Sequence, residues 1–307
     1  MLYIVLPCYN ERDVLPLSAN TLDSYLRELI RDGLVSDKSK MLFVDDGSTD
    51  GTFGVIADLC DKYDTATGLS YAPNRGMFTA IYAGLSAVIN ETSADIVITI
   101  DSDLQDDISA IADMVAQYSN KNCDIVYGVR TDRTSDSFLK RSTAENYYRF
   151  MNNIGVPMLF NHAEYRLMSR RVCEQLLTFD ENMLYFRVSV QMLNYKSGTS
   201  GYSRKERLAG ITHFNPRKMI KLALDSILTY SKLPFQICTF FMTLFGLSGI
   251  AATIWQLATA QYATATTLAL LSVLLFGIAF CASYIGRVYR IRFKPSFRVT
   301  DMIIKNK

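Results

Sequence analysis

The sequence predicts an α/β domain built on a mostly parallel sheet, followed by an amphipathic helix and two membrane-spanning helices. Three observations carry this. The first 130 residues alternate short apolar runs with helical patterns, as strands linked by crossover helices do. Residues 215–232 can gather their apolar side chains on one helical face. The 54 residues from 233 to 286 contain no Asp, Glu, Lys or Arg.

In chain order, apolar runs predict strands at 2–6, 41–44, 69–72, 96–100 and 125–128. Helical spacing predicts helices at 13–31, 52–62, 77–90 and 108–118. These elements belong to one domain, residues 1–214. Open sheets of this type bind ligands beyond the carboxyl ends of their strands. Polar groups gather at those ends: Asn10 and Glu11 after the first strand, Asp45 and Asp46 after the second, Asp101 and Asp103 after the fourth. A single such carboxylate is most simply a helix cap. Several, each just past a different strand, point to a site.

Within 215–232, Met219, Ile220, Leu222, Ala223, Ile227, Leu228 and Tyr230 share an apolar side, with Lys218, Lys221 and Lys232 elsewhere. Lying directly before an uncharged run, this segment reads as a helix at the bilayer interface. The run itself is too long for one span. It divides at the polar stretch 256–267 into segments of about 235–257 and 266–286, each near the ~20 residues that cross ~30 Å of hydrocarbon. Lys232 precedes the first segment, and Arg287, Arg290, Arg292 and Lys294 follow the second. The positive-inside rule therefore places both outer ends, including a basic tail at 287–307, in the cytoplasm. The expectation is a multi-pass protein of the cell membrane with its α/β domain on the cytoplasmic side.

Composition narrows the classes further. Apolar residues make up 49% of the 307, and the excess lies after residue 232. A net charge of +2 gives no global reason to expect nucleic acid. The six cysteines, at 8, 60, 123, 173, 238 and 281, have no zinc or redox spacing and read as reduced structural thiols. The opening apolar run is too short for a signal peptide and lacks a basic leader. No Walker A or Gly-x-Gly-x-x-Gly motif is present, which argues against an ATPase or a nicotinamide enzyme.

The chemistry centres on Asp101-Ser102-Asp103 at the end of an Ile-rich strand. Two carboxylates in one cleft repel unless a cation lies between them. A hard divalent ion, Mg²⁺ or Mn²⁺, fits oxygen ligands and keeps coordination sites for substrate phosphates. Such an ion neutralises a departing diphosphate. Basic residues dominate from Arg130 to Arg217, as an anionic partner would require.

Taken together, the motifs resemble those of the family 2 glycosyltransferases, which have the GT-A fold. The chain is similar to their polyprenyl-phosphate subgroup, which includes bactoprenol glucosyltransferase and, more distantly, dolichol-phosphate mannose synthase. The resemblance runs through Pro7-Cys8-Tyr9-Asn10-Glu11, the segment from Asp45 to Thr52, and Asp101 to Asp106. It continues through Gly128, Arg130, Arg133, Ser137, Lys140 and Arg141, then Tyr165 to Arg170, then Tyr202 to Gly210, and extends to the two C-terminal helices. It implies that Pro7, Tyr9, Glu11, Asp46 and Asp101 hold the donor nucleotide. Asp101, Asp103 and Gln105 would hold the metal. Arg130, Arg133, Lys140 and Arg141 would face the acceptor phosphate, and Asp103, Glu164 and Arg207 would serve catalysis.

Three departures stand out. The family's Gly-Asp before its Phe-Arg-Leu is Ala163-Glu164 here, so the carboxylate is one methylene longer. Glu164 matches the family's proposed base. A lipid phosphate is already largely ionised near neutral pH, however, so orienting groups or tuning charge is the alternative role. Met77 stands where the family often has a lysine, in Asn74-Arg75-Gly76-Met77, so Arg75 would replace the missing cation, and His213 replaces a lysine. Neither His162 nor His213 is expected to bind metal.

The resemblance implies an inverting, metal-dependent transfer of a hexose from a nucleotide sugar, UDP-glucose or UDP-N-acetylglucosamine favoured, to undecaprenyl phosphate. The partners are then a nucleotide sugar, a polyprenyl phosphate and the bilayer, with no nucleic acid; homo-oligomerisation stays open. A processive polysaccharide synthase is the first alternative, although the Gln-x-x-Arg-Trp motif of such enzymes is missing near Gln191. A non-catalytic membrane scaffold that retains the fold is the second.

Overall fold

The computed structural model describes residues 1–131, 138–179, 185–204, 216–231 and 298–303, with scattered positions between 233 and 285. The chain divides into two compact units. The first comprises 1–148, 157–213 and 295–307; the second comprises 149–156 and 214–294.

In the first unit the strands are β1 (Leu2–Cys8), β2 (Lys40–Asp46), β3 (Ala66–Ala72), β4 (Ile96–Thr99), β5 (Ile125–Arg130), β6 (His162–Ser169), β7 (Ser197–Tyr202) and β8 (Arg298–Ile303). The helices are α1 (Leu15–Arg31), α2 (Thr52–Lys62), α3 (Met77–Glu91), α4 (Ala110–Lys121), α5 (Phe138–Asn153, which crosses into the second unit), α6 (Arg170–Leu176) and α7 (Phe186–Met192). The strands form one sheet in the order β7-β5-β6-β4-β1-β2-β3-β8. β4, β1, β2 and β3 run parallel, whereas β6 is antiparallel to β4 and β5. β7 pairs in parallel with β5, and β8 closes the far edge antiparallel to β3. This mixed α/β sheet fits the GT-A arrangement that the sequence resemblance implies. All the elements expected before residue 130 are present, with ends moved by a few residues.

Period-two alternation divides β1 between two cores. Leu2, Ile4 and Leu6 face Leu15, Leu22, Leu26 and Leu29 of α1 with Ile56 and Ile111, while Tyr3 and Val5 face Ala80, Ile81, Leu85 and Val88 of α3. Each fully buried Leu contributes about 1.5–3 kcal/mol relative to exposure, so the leucine stripe is what holds α1 to the sheet. On the other face Gly84 lets α3 approach closely: a Cβ there would lie 2.5 Å from Val5 Cγ1. Arg170 stops α3 by donating from Nη2 to Ile89 O at 2.7 Å and from Nη1 to Thr92 O at 3.0 Å.

In the second unit, α8 (Pro216–Tyr230) occupies the expected amphipathic segment. Ser231 ends it, its Oγ donating to Ile154 O at 2.6 Å. The described positions between 233 and 285 are helical. A Cβ added at Gly277 would lie 3.0 Å from Met242 Sδ, so helical segments from the two halves of the uncharged run meet. Among the described residues no helix is long and apolar enough to cross a membrane. The two expected spans, 235–257 and 266–286, fall largely outside those residues.

Candidate active site

Because β1, β2 and β4 are parallel, their carboxyl ends emerge along one edge of the sheet. The loops there are tied to one another. Asn10, with a left-handed φ of 55°, donates its N–H to Ser48 Oγ at 2.9 Å and accepts from Thr49 N at 3.0 Å. Glu11 N–H donates to Thr52 Oγ1 at 3.0 Å. Beside this cross-link Tyr9 stands 46% exposed, an aromatic face open to a ligand, with Pro7 partly buried beneath the same strand end.

The carboxylates of β2 work mainly on the backbone around them. Asp45 accepts from Ser48 N at 3.2 Å and from Ser70 Oγ at 2.9 Å. Asp46 accepts from the Tyr71 hydroxyl at 2.7 Å, Arg75 N at 2.8 Å and Gly76 N at 2.7 Å. Burial raises its proton affinity, and these three hydrogen bonds oppose that rise. Gly47, at φ +65°, makes the arrangement fit, because a Cβ there would meet Asn74 N at 2.8 Å. Asp46 thus orders the loop leading into α3, and any contact to a nucleotide is made together with that loop.

After β4 the chain turns sharply. Leu104 adopts φ 47° and donates its N–H to Asp101 O at 3.2 Å, while Asp103 Oδ1 accepts from Gln105 N at 3.2 Å. Asp101 is pushed up to about 7, first by loss of hydration and then by the charges of Asp106, Asp103 and Glu164. Asp106 is buried; its Oδ1 accepts from Arg130 Nη2 at 3.2 Å, and its Oδ2 has no hydrogen-bond partner among the described residues. Mutual repulsion and an unsatisfied carboxylate oxygen are both features that a hard cation relieves, so Asp101 and Asp103 fit as partial ligands. Among the described residues no group of three or more His, Cys, Asp or Glu side chains could hold a metal by itself. The remaining ligands would then be phosphate oxygens or water.

Several expected residues are already engaged with protein partners. Gln105 Oε1 accepts from Arg204 Nη2. Arg130, besides its bond to Asp106, donates from Nε to the Tyr202 hydroxyl at 3.2 Å. Arg130 is thus brought beside the carboxylate turn and paired there. Lys140 and Arg141 lie in the first turn of α5. Arg133 and Arg207 lie outside the described residues.

Glu164 is brought into the same region by β6. The last β4–β6 pair is Thr99 with Arg166, so continuing the register two residues sets Asp101 level with Glu164. Thr99 Oγ1 donates to Glu164 O at 2.7 Å. Glu164 Oε2 accepts from Arg166 Nη2, and Oε1 accepts from Arg187 Nε at 2.8 Å. Burial alone would raise its proton affinity, but the two guanidiniums outweigh that and hold the carboxyl below its usual range. His162 is lowered to about 4, first by burial and then by Arg166 and Arg187. It is therefore neutral near pH 7. Its Nδ1 is then the donor to Leu159 O, at 2.6 Å.

Sequence reasoning missed the roles of Arg166 and Arg187. Arg166 left a trace, since a charge inside an eight-residue strand that is buried throughout requires a partner. Arg187 left none in its local sequence.

The comparisons with known proteins agree with this picture. The family model for "Glycosyl transferase family 2" matches residues 3–177. The chain is 38% identical over 309 residues to the uncharacterized glycosyltransferase YkoT of Bacillus subtilis, covering 97% of this chain and 91% of that protein. It is 31% identical over 316 residues to the bactoprenol glucosyl transferase of Shigella phage SfV, covering 99% of this chain and 98% of that protein. A prophage bactoprenol glucosyl transferase homolog of Escherichia coli is 31% identical, with 93% of this chain covered and 94% of that protein. A family-wide match to the half of the chain that carries the carboxylate turn, with full-length relatives beyond it, makes this protein a glycosyltransferase, a member of glycosyl transferase family 2.

Proposed function

We propose that the protein transfers a hexose from a nucleotide sugar, UDP-glucose or UDP-N-acetylglucosamine, to undecaprenyl phosphate, with inversion at the sugar C1. The observation that carries this reading is the similarity to bactoprenol glucosyl transferases along the whole chain, including the uncharged C-terminal run. In the proposed reaction an oxygen of the lipid phosphate attacks C1. The C1–O bond to the diphosphate breaks with its electron pair leaving on the nucleoside diphosphate. Mg²⁺ or Mn²⁺, when bound by Asp101 and Asp103, supplies charge neutralisation to that leaving group. Tyr9, Glu11 and the loop ordered by Asp46 hold the nucleotide. Arg133, Lys140 and Arg141, together with Arg207, lower the repulsion between two anionic substrates.

The reaction is placed at the cytoplasmic face of the cell membrane, where α8 and the uncharged run would anchor the site at headgroup height. The direct test is to incubate membranes containing the protein with undecaprenyl phosphate and a panel of labelled nucleotide sugars, then to analyse the lipid fraction. One label should enter a lipid-linked monosaccharide, and EDTA should prevent it. Label found only in a water-soluble polymer would overturn the reading.

A further inference from the structure

Arg187 is the second residue of α7, and its Nε bond to Glu164 is the one hydrogen bond its side chain makes among the described residues. The side chain is 30% exposed, and neither Nη group hydrogen-bonds to a described residue. Glu164 is fixed from its other side by Arg166, which is 1% exposed. Arg166 also donates from Nη1 to Phe186 O at 2.8 Å. One buried guanidinium therefore holds both the carboxylate and the turn of chain that presents Arg187. The triad carries one negative and two positive charges, and the surplus falls on Arg187, the only one of the three with appreciable exposure.

The surroundings are aromatic. Tyr185 and Tyr148 lie near Arg187. Tyr148 meets Phe160 edge-on at 5.3 Å and Tyr147 at 5.7 Å, and Tyr185 meets Phe78 at 5.2 Å. A guanidinium held at Nε, with neither Nη group bonded to a described residue and with aromatic rings nearby, suits a phosphate carried on an apolar chain.

We propose that Arg187 binds a phosphate oxygen of the lipid acceptor and that Glu164 is the positioning residue that holds it there, not the group that accepts a proton. This inference rests on the lipid-phosphate reading above. A carboxylate shared between two arginines is a weak base, and the phosphate nucleophile has little need of one.

The test uses the full-length protein in detergent, with initial rates measured while undecaprenyl phosphate and the nucleotide sugar are varied separately. Arg187→Ala should lower kcat/KM for the acceptor about tenfold or more while the donor KM stays within about twofold. Arg187→Lys should recover part of the loss. Glu164 stays paired to Arg166 in these variants, and the unchanged donor KM reports an intact fold. Glu164→Gln should raise the acceptor KM and leave the acidic limb of the pH–rate profile in place. A donor KM that rises instead assigns Arg187 to the donor diphosphate and overturns the proposal, as does an acceptor kcat/KM unchanged in Arg187→Ala. Loss of kcat together with the acidic limb in Glu164→Gln makes Glu164 a base and overturns its positioning role. Wild-type protein that places no sugar on the lipid phosphate defeats the underlying reading instead.

Discussion

Replacing Arg130 with glutamine should unfold the domain more easily before it does anything to substrate binding. The reason is Asp106, whose side chain is 2% exposed and pairs with Arg130 at 3.2 Å. Without the guanidinium, Asp106 keeps a buried charge with neither oxygen compensated by a cation. Breaking a buried pair from one side typically costs about 3–5 kcal/mol. Arg130 is itself 27% exposed, so water entering its place screens part of this, and about 2–3 kcal/mol is the expected loss. For a domain of this size that lowers the melting temperature by about 4–12 °C. Adding Asp106→Asn to Arg130→Gln removes the stranded charge and should restore most of the loss. Thermal unfolding of the purified full-length chain, followed by circular dichroism for the wild type, both single variants and the double variant, checks this. If Arg130→Gln melts with the wild type while its acceptor KM rises, Arg130 is a free phosphate ligand and the reasoning from the Asp106 pair is wrong.

Four further outcomes are expected. His162 is lowered to about 4 in the folded protein, from an ordinary value near 6.5, so its contribution to stability is present above about pH 6.5 and is lost as pH falls toward 4. His162→Gln should flatten that acid limb in melts taken from pH 7 to 4.5, and an unchanged limb would assign it to other groups. Asp103→Asn should reduce transfer by about 10²-fold or more without changing the melting temperature appreciably; activity near wild type with metal still required would defeat the metal-site assignment. Asp46→Ala should weaken UDP binding in calorimetry by releasing the loop at Arg75 and Gly76, whereas Arg141→Ala should bind UDP about as the wild type does; equal loss in both would move the basic stretch to the donor site. A cysteine at Ala263 should react with an impermeant thiol reagent on intact cells, and a cysteine at Lys305 should not; the reverse pattern would invert the proposed topology.

The strands before residue 130 could be read from sequence because each is an apolar run between turn residues and both of its faces are covered by helices. β6 could not. His162, Glu164 and Arg166 interrupt its apolar pattern, and the burial of Glu164 and Arg166 is tolerable through pairing with each other and with a helix some 20 residues further on. β7, Ser197–Tyr202, has almost no apolar content, and β8 lies in a segment that reads as a basic tail. The site divides along the same line. Tyr9, Glu11, Asp46, Asp101 and Asp103 were legible because parallel strands necessarily bring their carboxyl ends together. The partners of Arg130, Gln105 and Glu164 were not, because they depend on β6, β7 and α7, elements joined to the sheet by long-range pairing alone.

The antiparallel pairing of β8 with β3 constrains everything the chain does between them. Backbone hydrogen bonds cannot form across a bilayer, so residue 298 must lie in the same compartment as residue 72. Whatever path the uncharged run takes from 233 to 286, any membrane crossing within it would have to be matched by a return. A hairpin of two spans, as proposed, meets that condition and a single span does not, with no appeal to the charges at the flanks. The pairing also sets an order of events. β8 follows the uncharged run in the chain, so the β3 edge stays unpaired until that run has been made. Completion of the sheet then requires that any span made in between has been matched by a return.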